Sequence, residues 1–141
     1  MKNKVILLVE DNPDDELLTR RALQKNNICN VLAVARDGAE ALAYLENAAL
    51  HKSLPAVILL DLNLPKIGGL DVLRSIRAHE HLKRLPVVIL TSSNEDQDIC
   101  ISYDLGANSY IRKPVDFVQF TESVRQLGFY WLLLNEAPPR R

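Results

Sequence analysis

The chain has 141 residues, the length of one typical domain and enough to bury a real core. Its composition, 48% hydrophobic and 25% charged, is that of an ordinary globular protein. The net charge of −1 indicates neither nucleic acid nor an anionic membrane as a partner, and no apolar run approaches the ~20 residues that span a bilayer.

Two features of the sequence predict a cytoplasmic protein. The start, MKNKVILLVEDNPDD, is unlike a signal peptide, because its short apolar stretch is closely followed by acids. Cys29 and Cys100 stand far apart with no second pair nearby, so neither a disulfide framework nor a zinc site is indicated. We expect both thiols to be reduced and buried.

Short apolar runs alternate with helical patterns along the chain. The first helix begins at Asn12-Pro13 with an acidic first turn and runs to about Asn26. Asp37 can cap the second helix, and Gly68-Gly69 breaks the chain before the third. The strands that separate these helices are predicted at residues 4–9, 31–35, 56–60, 86–90 and 108–112.

Two further helices follow the fourth and fifth strands. The fourth helix places Ile99, Cys100 and Tyr103 on one side, and the fifth begins near Val115. The order is therefore five βα units followed by a tail. Apolar strands separated by helices are typical of a parallel sheet covered on both faces, so we predict a doubly wound, three-layer α/β sandwich.

Polar side chains follow four of the five predicted strands. Glu10 and Asp11 end the first strand, Asp61 the third, Thr91 the fourth, and Lys113 the fifth. A lone acid after a strand is more often a cap or turn residue. Ligands of such sheets, however, bind at the carboxyl ends of the strands, and capping alone does not explain four strands ending this way.

The residue types at this edge of the sheet suit phosphoryl transfer. Close carboxylates repel one another unless a hard cation lies between them, and Mg²⁺ prefers oxygen ligands. A lysine ammonium suits a phosphoryl oxygen, and a threonine hydroxyl can donate a hydrogen bond to the same group. The sequence therefore predicts transfer of a phosphoryl group onto a carboxylate.

Four stretches resemble the receiver domain of two-component response regulators, the chemotaxis-type single-domain regulators included. They are LLVEDNPDD, LLDLNLPKIGGLDVL, VVILTSS and GANSYIRKPV. The resemblance covers the chain up to about residue 128, which implies a receiver domain over 1–128 with the flavodoxin-like strand order 2-1-3-4-5. It further implies a cytoplasmic signalling protein whose partner is a sensor histidine kinase, and no enzyme beyond its own phosphorylation and dephosphorylation.

The resemblance also implies roles for individual residues. By position, Asp61 is similar to the phosphoacceptor, Thr91 to the switch hydroxyl, and Tyr110 to the switch aromatic residue. Lys113 is similar to the lysine that senses the phosphate. The expected Mg²⁺ ligands are Glu10, Asp11, Asp61 and the backbone carbonyl of Asn63. Many receivers have Asp where this chain has Glu10, whose longer arm suggests that it holds a metal-bound water.

Three other functions are alternatives to this one. A hydrolase of the haloacid-dehalogenase type needs a second acid two residues after the nucleophile, where this chain has Asn63. A flavodoxin needs phosphate-binding Gly, Ser or Thr after the first strand, where this chain is acidic. The open alternative is a pseudo-receiver, a binding module that acts without phosphorylation although the expected side chains are present.

The ending GFYWLLLNEAPPRR is similar to that of small response regulators paired with bacterial phytochromes, which implies a phytochrome-type kinase. Phe129, Tyr130 and Trp131 open an apolar tail at 129–141. Aromatic residues are enriched at interfaces, so we predict a homodimer through this tail and the face of helix four, strand five and helix five. The alternative is that the tail folds back onto the core.

We expect the full chain to dimerise and a chain ending at Gly128 to remain monomeric, because the truncation removes the apolar strip. Sedimentation at matched concentrations tests this. A full chain that stays monomeric at high micromolar concentration, with and without phosphorylation, would contradict the dimer.

Overall fold

The structure is a computed structural model that describes residues 4–28, 30–92, 95–113, 118–119, 121–122 and 125–126. Strands and helices alternate along the described chain. The strands are β1 (Val5–Val9), β2 (Val31–Ala35), β3 (Val57–Leu60), β4 (Val87–Thr91) and β5 (Ser109–Arg112). The helices are α1 (Pro13–Lys25), α2 (Gly38–Leu50), α3 (Gly69–Ala78) and α4 (Asp96–Asp104). None of the helices in these ranges is long and apolar enough to cross a bilayer.

The five strands form one parallel sheet in the order β2-β1-β3-β4-β5. This confirms the predicted doubly wound α/β fold and its flavodoxin-like strand order. The chain passes outward from β1 to β2 and then returns to the other side of β1 for β3, so strand order reverses between β1 and β3. Ligands of doubly wound sheets bind at this reversal, beyond the carboxyl ends of the strands.

The core lies on both faces of the sheet, because successive residues of a strand point to opposite sides. Leu7 of β1 belongs to a cluster on one face that includes Leu45 of α2 and Leu73 of α3. Its neighbour Leu8 belongs to a cluster on the other face that includes Leu23 of α1. The helices thus cover both faces and leave the carboxyl ends of the strands for polar residues.

Both predicted helix caps are confirmed. The Asn12 side-chain oxygen accepts from the backbone N–H groups of Asp14 at 2.8 Å and Asp15 at 3.2 Å, and α1 begins at Pro13. The Asp37 carboxylate accepts from the backbone N–H of Glu40 at 2.8 Å. Each cap satisfies donors that the first turn of a helix leaves unpaired.

The expected burial of Cys100 is wrong, since its side chain is exposed on α4. Tyr103 on the same helix is 50% exposed, whereas Ser102 is buried. Ser102 can be buried because its hydroxyl donates to the carbonyl of Asp98 at 2.7 Å, within the helix. The other cysteine, Cys29, lies outside the described residues.

A glycine brings α3 against the strand that carries the predicted phosphoacceptor. A Cβ atom at Gly69, the first residue of α3, would overlap the carbonyl oxygen of Asp61. The preceding Gly68 has open space around it, so the constraint belongs to Gly69 alone of the pair. The absence of a side chain at Gly69 therefore fixes how closely α3 approaches the end of β3.

The predicted start of the fifth helix at Val115 and the tail at 129–141 lie outside the described residues. Residues 118–119, 121–122 and 125–126 are helical, as expected for a fifth helix. The division into a domain over 1–128 and a tail stays a prediction.

Candidate functional site

The three predicted carboxylates meet at the carboxyl edge of the sheet. One oxygen from each of Glu10, Asp11 and Asp61 lies within 4.8 Å of the others. Glu10 and Asp11 directly follow β1, and Asp61 directly follows the adjacent strand β3. The sheet ladder continues into the site, because the Asp61 N–H donates to the carbonyl of Val9 at 3.1 Å. Glu10 is 2% exposed and Asp61 5%, whereas Asp11 faces solvent.

Lys113 brings a positive charge to these acids. Its ammonium forms a close ion pair with Glu10 and contacts the carboxylate of Asp61 at 3.0 Å. A third carboxylate, that of Asp15, lies at 2.9 Å. The Lys113 N–H donates to the carbonyl of Thr91 at 2.6 Å, which holds the residue beside the end of β4. An ammonium has three N–H donors, so each carboxylate can accept one of them.

The surroundings of Asp61 favour its ionised form. Burial by itself raises the pKa of the Asp61 carboxyl, but the charge and hydrogen bond of Lys113 outweigh burial and lower it below its ordinary value. Hydrogen bonds from the Asn63 N–H, at 3.1 Å, and from Thr91 lower it further. Asp61 is therefore a buried carboxylate that stays charged at neutral pH, as a nucleophile requires.

The pKa of Glu10 shifts in the opposite direction from that of Asp61. Burial raises the pKa of Glu10 to about 7, against the opposing hydrogen bond and charge of Lys113, and the charge of Asp61 contributes to the rise. Burial alone would lower the pKa of Lys113, but its bonds to the three carboxylates raise that pKa above its usual value. A proton that enters this group of acids thus goes to Glu10 rather than to Asp61.

The two predicted switch residues occupy different depths. Thr91 is fully buried at the end of β4, with its hydroxyl hydrogen-bonded to Asp61. Tyr110 lies in β5, where it pairs with Ile89 of β4, and its half-buried side chain packs against the core. The residue of β5 level with Thr91 is the exposed Arg112. Thr91 therefore reaches the carboxylates directly, whereas Tyr110 lies two residues further back along the sheet.

Asp15 also belongs to this site, although its position in the sequence does not predict it. In the sequence, Asp14, Asp15 and Glu16 form the acidic first turn of a helix, a pattern that the helix dipole alone can explain. In the structure Asp15 contacts Lys113, while Asp14 is exposed. The sequence shows an acid four residues after Asp11, but whether that acid reaches the site depends on how α1 is oriented against the sheet.

The donor set fits a divalent cation. Glu10, Asp11 and Asp61 supply carboxylate oxygens, which hard cations such as Mg²⁺ prefer. Lys113 already neutralises two of these acids, so a cation at this place shares carboxylates with an ammonium. Asp15 is not among the three acids that converge on one point.

Comparison with known proteins decides the family. The sequence matches the response regulator receiver domain over residues 6–125, which is most of the chain. The chain belongs to the response regulator receiver family. Receiver domains are signalling modules whose general function is to be phosphorylated by a kinase, so the predicted family and signalling function are confirmed.

Several relatives of this receiver are response regulators. The response regulator Rcp1 of Synechocystis sp. is 40% identical over 131 residues, which cover 92% of this chain and 89% of that protein. A solved Mn²⁺-bound form of response regulator Rcp1 is similar with a TM-score of 0.85 at 38% identity, covering 96% of this chain and 99% of that chain. The metal in that structure supports the expectation that the acidic site binds a divalent cation.

Two further solved structures extend this likeness. The phosphorylated cyanobacterial phytochrome response regulator RcpA has a TM-score of 0.88 at 41% identity, covering 96% of this chain and 99% of RcpA. The bacteriophytochrome response regulator AtBRR has a TM-score of 0.73 at 51% identity, covering 94% of this chain and 98% of AtBRR. The receiver is thus related to phytochrome response regulators of this kind.

We expect Lys113→Met to lower the free energy of unfolding by about 3 kcal/mol, because it leaves buried carboxylates without their counter-charge. Added Mg²⁺ should recover more stability for this variant than for the wild type, since the cation replaces the lost charge. Urea unfolding with and without Mg²⁺ measures both effects.

Lys66→Met is the matched control, because Lys66 pairs with Asp37 at the surface and is itself 70% exposed. An exposed pair is worth under about 1 kcal/mol, so the control should unfold almost like the wild type. Equal losses in the two variants would contradict a special role for Lys113.

Proposed function

We propose that this receiver accepts a phosphoryl group from a sensor histidine kinase onto Asp61 in a reaction that requires Mg²⁺. One observation carries the proposal. Asp61 is a buried, ionised carboxylate that lies within reach both of an ammonium, at 3.0 Å, and of two further acids suited to a divalent cation. The phosphorylated relative RcpA and the Mn²⁺-bound relative Rcp1 support it.

In the proposed reaction an oxygen of Asp61 attacks the phosphorus of a phosphohistidine. The new O–P bond forms as the P–N bond breaks, and the imidazole leaves with the electron pair and takes up a proton. Lys113 is placed to donate a hydrogen bond to an oxygen of the incoming phosphoryl group. Positioning and charge neutralisation of this kind supply most of the catalysis in phosphoryl transfer.

The bound cation would neutralise negative charge that the Asp61 carboxylate and the phosphoryl oxygens bring together. The chain's own oxygens that would hold it are the converging carboxylates of Glu10, Asp11 and Asp61. The family resemblance adds the backbone carbonyl of Asn63. We propose Mg²⁺ as this cation, because Mg²⁺ is commonly bound by one or two carboxylates together with substrate phosphates.

Thr91 and Tyr110 would convert phosphorylation into a change of surface. Thr91 already donates a hydrogen bond to the Asp61 carboxylate, so its hydroxyl could donate instead to an oxygen of a phosphoryl group on Asp61. Space that the threonine leaves would let Tyr110 turn further inward from its half-buried position. The charge of one phosphoryl group would thus favour one of two alternative arrangements in which Thr91 and Tyr110 change position together.

The proposed partner is a phytochrome-type histidine kinase in the cytoplasm, with Rcp1, RcpA and AtBRR as the supporting relatives. We propose a signalling protein that catalyses only its own phosphorylation and dephosphorylation and binds neither nucleic acid nor membrane. The homodimer through Phe129, Tyr130 and Trp131 also stays a prediction, since that tail lies outside the described residues.

Asp61→Asn should abolish phosphorylation, because an amide is a far weaker nucleophile than a carboxylate. Labelling with acetyl phosphate and Mg²⁺, and with a purified phytochrome kinase, measures it. Chelating Mg²⁺ should suppress labelling of the wild type. Asp71→Asn, an exposed acid on α3, is the control and should be labelled normally. Undiminished labelling of Asp61→Asn would overturn the assignment, and a wild type that no donor labels would favour the pseudo-receiver.

Thr91→Ala should still be phosphorylated but respond poorly, because the hydroxyl that follows the phosphoryl group is gone. The ¹⁹F NMR signal of a fluorotyrosine at Tyr110 should shift on phosphorylation in the wild type and much less in the variant. Ser92→Ala removes a neighbouring exposed hydroxyl and should behave like the wild type. An equal shift in Thr91→Ala would show that Tyr110 responds by another route.

A further inference from the structure

The site contains one acid that the proposed chemistry leaves without a role. The ammonium of Lys113 is bound by Glu10, Asp15 and Asp61. Of these, Glu10 and Asp61 also belong to the trio of acids that converges within 4.8 Å, and Asp15 does not. Asp15 is the only one of the three lysine partners that a cation at the converging oxygens would not use.

This division creates a competition. A divalent cation and the ammonium of Lys113 both draw on the carboxylates of Glu10 and Asp61. A cation that binds there weakens both lysine contacts, through repulsion of the ammonium and through loss of shared acceptors. The lysine, 13% exposed, would then be a partly buried charge with fewer partners, which is costly. A carboxylate outside the cation site removes that cost.

Asp15 is well placed for this task. It lies in the first turn of α1, where its N–H is held by the cap residue Asn12 and its carbonyl accepts from Thr19 at 3.0 Å. The neighbouring Glu16 fixes the same turn to the end of β2 through an ion pair with Arg36 at 3.0 Å. The Asp15 side chain is 34% exposed, whereas those of Glu10 and Asp61 are 2% and 7% exposed, so Asp15 is the most solvent-accessible of these three partners of the lysine.

We propose that Asp15 is a positioning residue that retains the ammonium of Lys113 when a divalent cation takes up Glu10 and Asp61. The inference rests on the proposed function for the identity of the cation site. Asp15 acts through Lys113: it contacts neither the cation nor the phosphoryl group. Asp15 stabilises the Lys113 ammonium more in the cation-bound protein than in the cation-free protein, because Lys113 then has fewer other acceptors. Asp15 therefore strengthens cation binding.

The decisive measurement is the dissociation constant of the unphosphorylated protein for Mg²⁺ and Mn²⁺, by calorimetry and by Mn²⁺ electron paramagnetic resonance. Asp15→Asn should raise this dissociation constant by about three- to tenfold, the size expected when one charge-assisted hydrogen bond is stronger in the cation-bound protein than in the cation-free protein. Asp15→Glu should recover most of the affinity, because it restores a carboxylate at the same position.

Asp14→Asn is the matched control. It removes the same charge from the same turn of α1, at an exposed side chain for which no contact with Lys113 is seen among the described residues. Its dissociation constant should stay within about twofold of the wild type, since an exposed charge is screened by salt. Equal weakening by Asp14→Asn and Asp15→Asn would overturn the proposal, because the effect would then be one of net charge.

A double-mutant cycle identifies the route. In a Lys113→Met background, Asp15→Asn should change the dissociation constant no more than Asp14→Asn does, since the residue through which Asp15 acts is absent. An undiminished effect in that background would overturn the proposal. The cycle uses unphosphorylated protein, so its outcome does not depend on whether Asp61 is the phosphoacceptor. Circular dichroism of each variant confirms that the chain is folded.

Discussion

The ion pairs of Lys113 are the interaction on which the rest of the site depends. Two buried carboxylates, Glu10 and Asp61, stand at the ends of adjacent strands, and neither could remain there charged without a counter-ion. The lysine that supplies the charge directly follows the edge strand β5, 103 residues after Glu10 in the sequence. One ammonium therefore joins the ends of β1 and β3, the first turn of α1 and the edge strand, and the site is complete only when all of these elements have formed.

The same ammonium has unequal effects on the acids that surround it. Asp61 combines Lys113 with hydrogen bonds from Asn63 and Thr91, which keeps its pKa low. Glu10 has the same lysine, but burial outweighs the ion pair and raises its pKa to about 7. Two acids that look alike in the sequence are thus separated by their surroundings into one that stays ionised and one that can hold a proton.

The sequence predicted the parts of the molecule that local rules control. The strands, the caps at Asn12 and Asp37 and the residues at the strand ends follow from apolar runs and from the geometry of parallel sheets. The burial of Ser102 in place of Cys100 and the contact of Asp15 with Lys113 could not be predicted. Both depend on how a helix is rotated about its axis against the sheet, and the apolar pattern of α4 and the acidic turn of α1 do not fix that rotation.

The close packing of Gly69 against the backbone of Asp61 makes the site resist displacement on one side more than on another. Toward α3 there is no side chain that could rotate away, so anything that pushes the main chain of Asp61 in that direction must shift a ten-residue helix. On another side of the carboxylate is the hydroxyl of Thr91, which can turn about a single bond. A displacement of the Asp61 main chain would therefore have to move α3, whereas a change at its carboxylate would first meet the hydroxyl of Thr91 on β4.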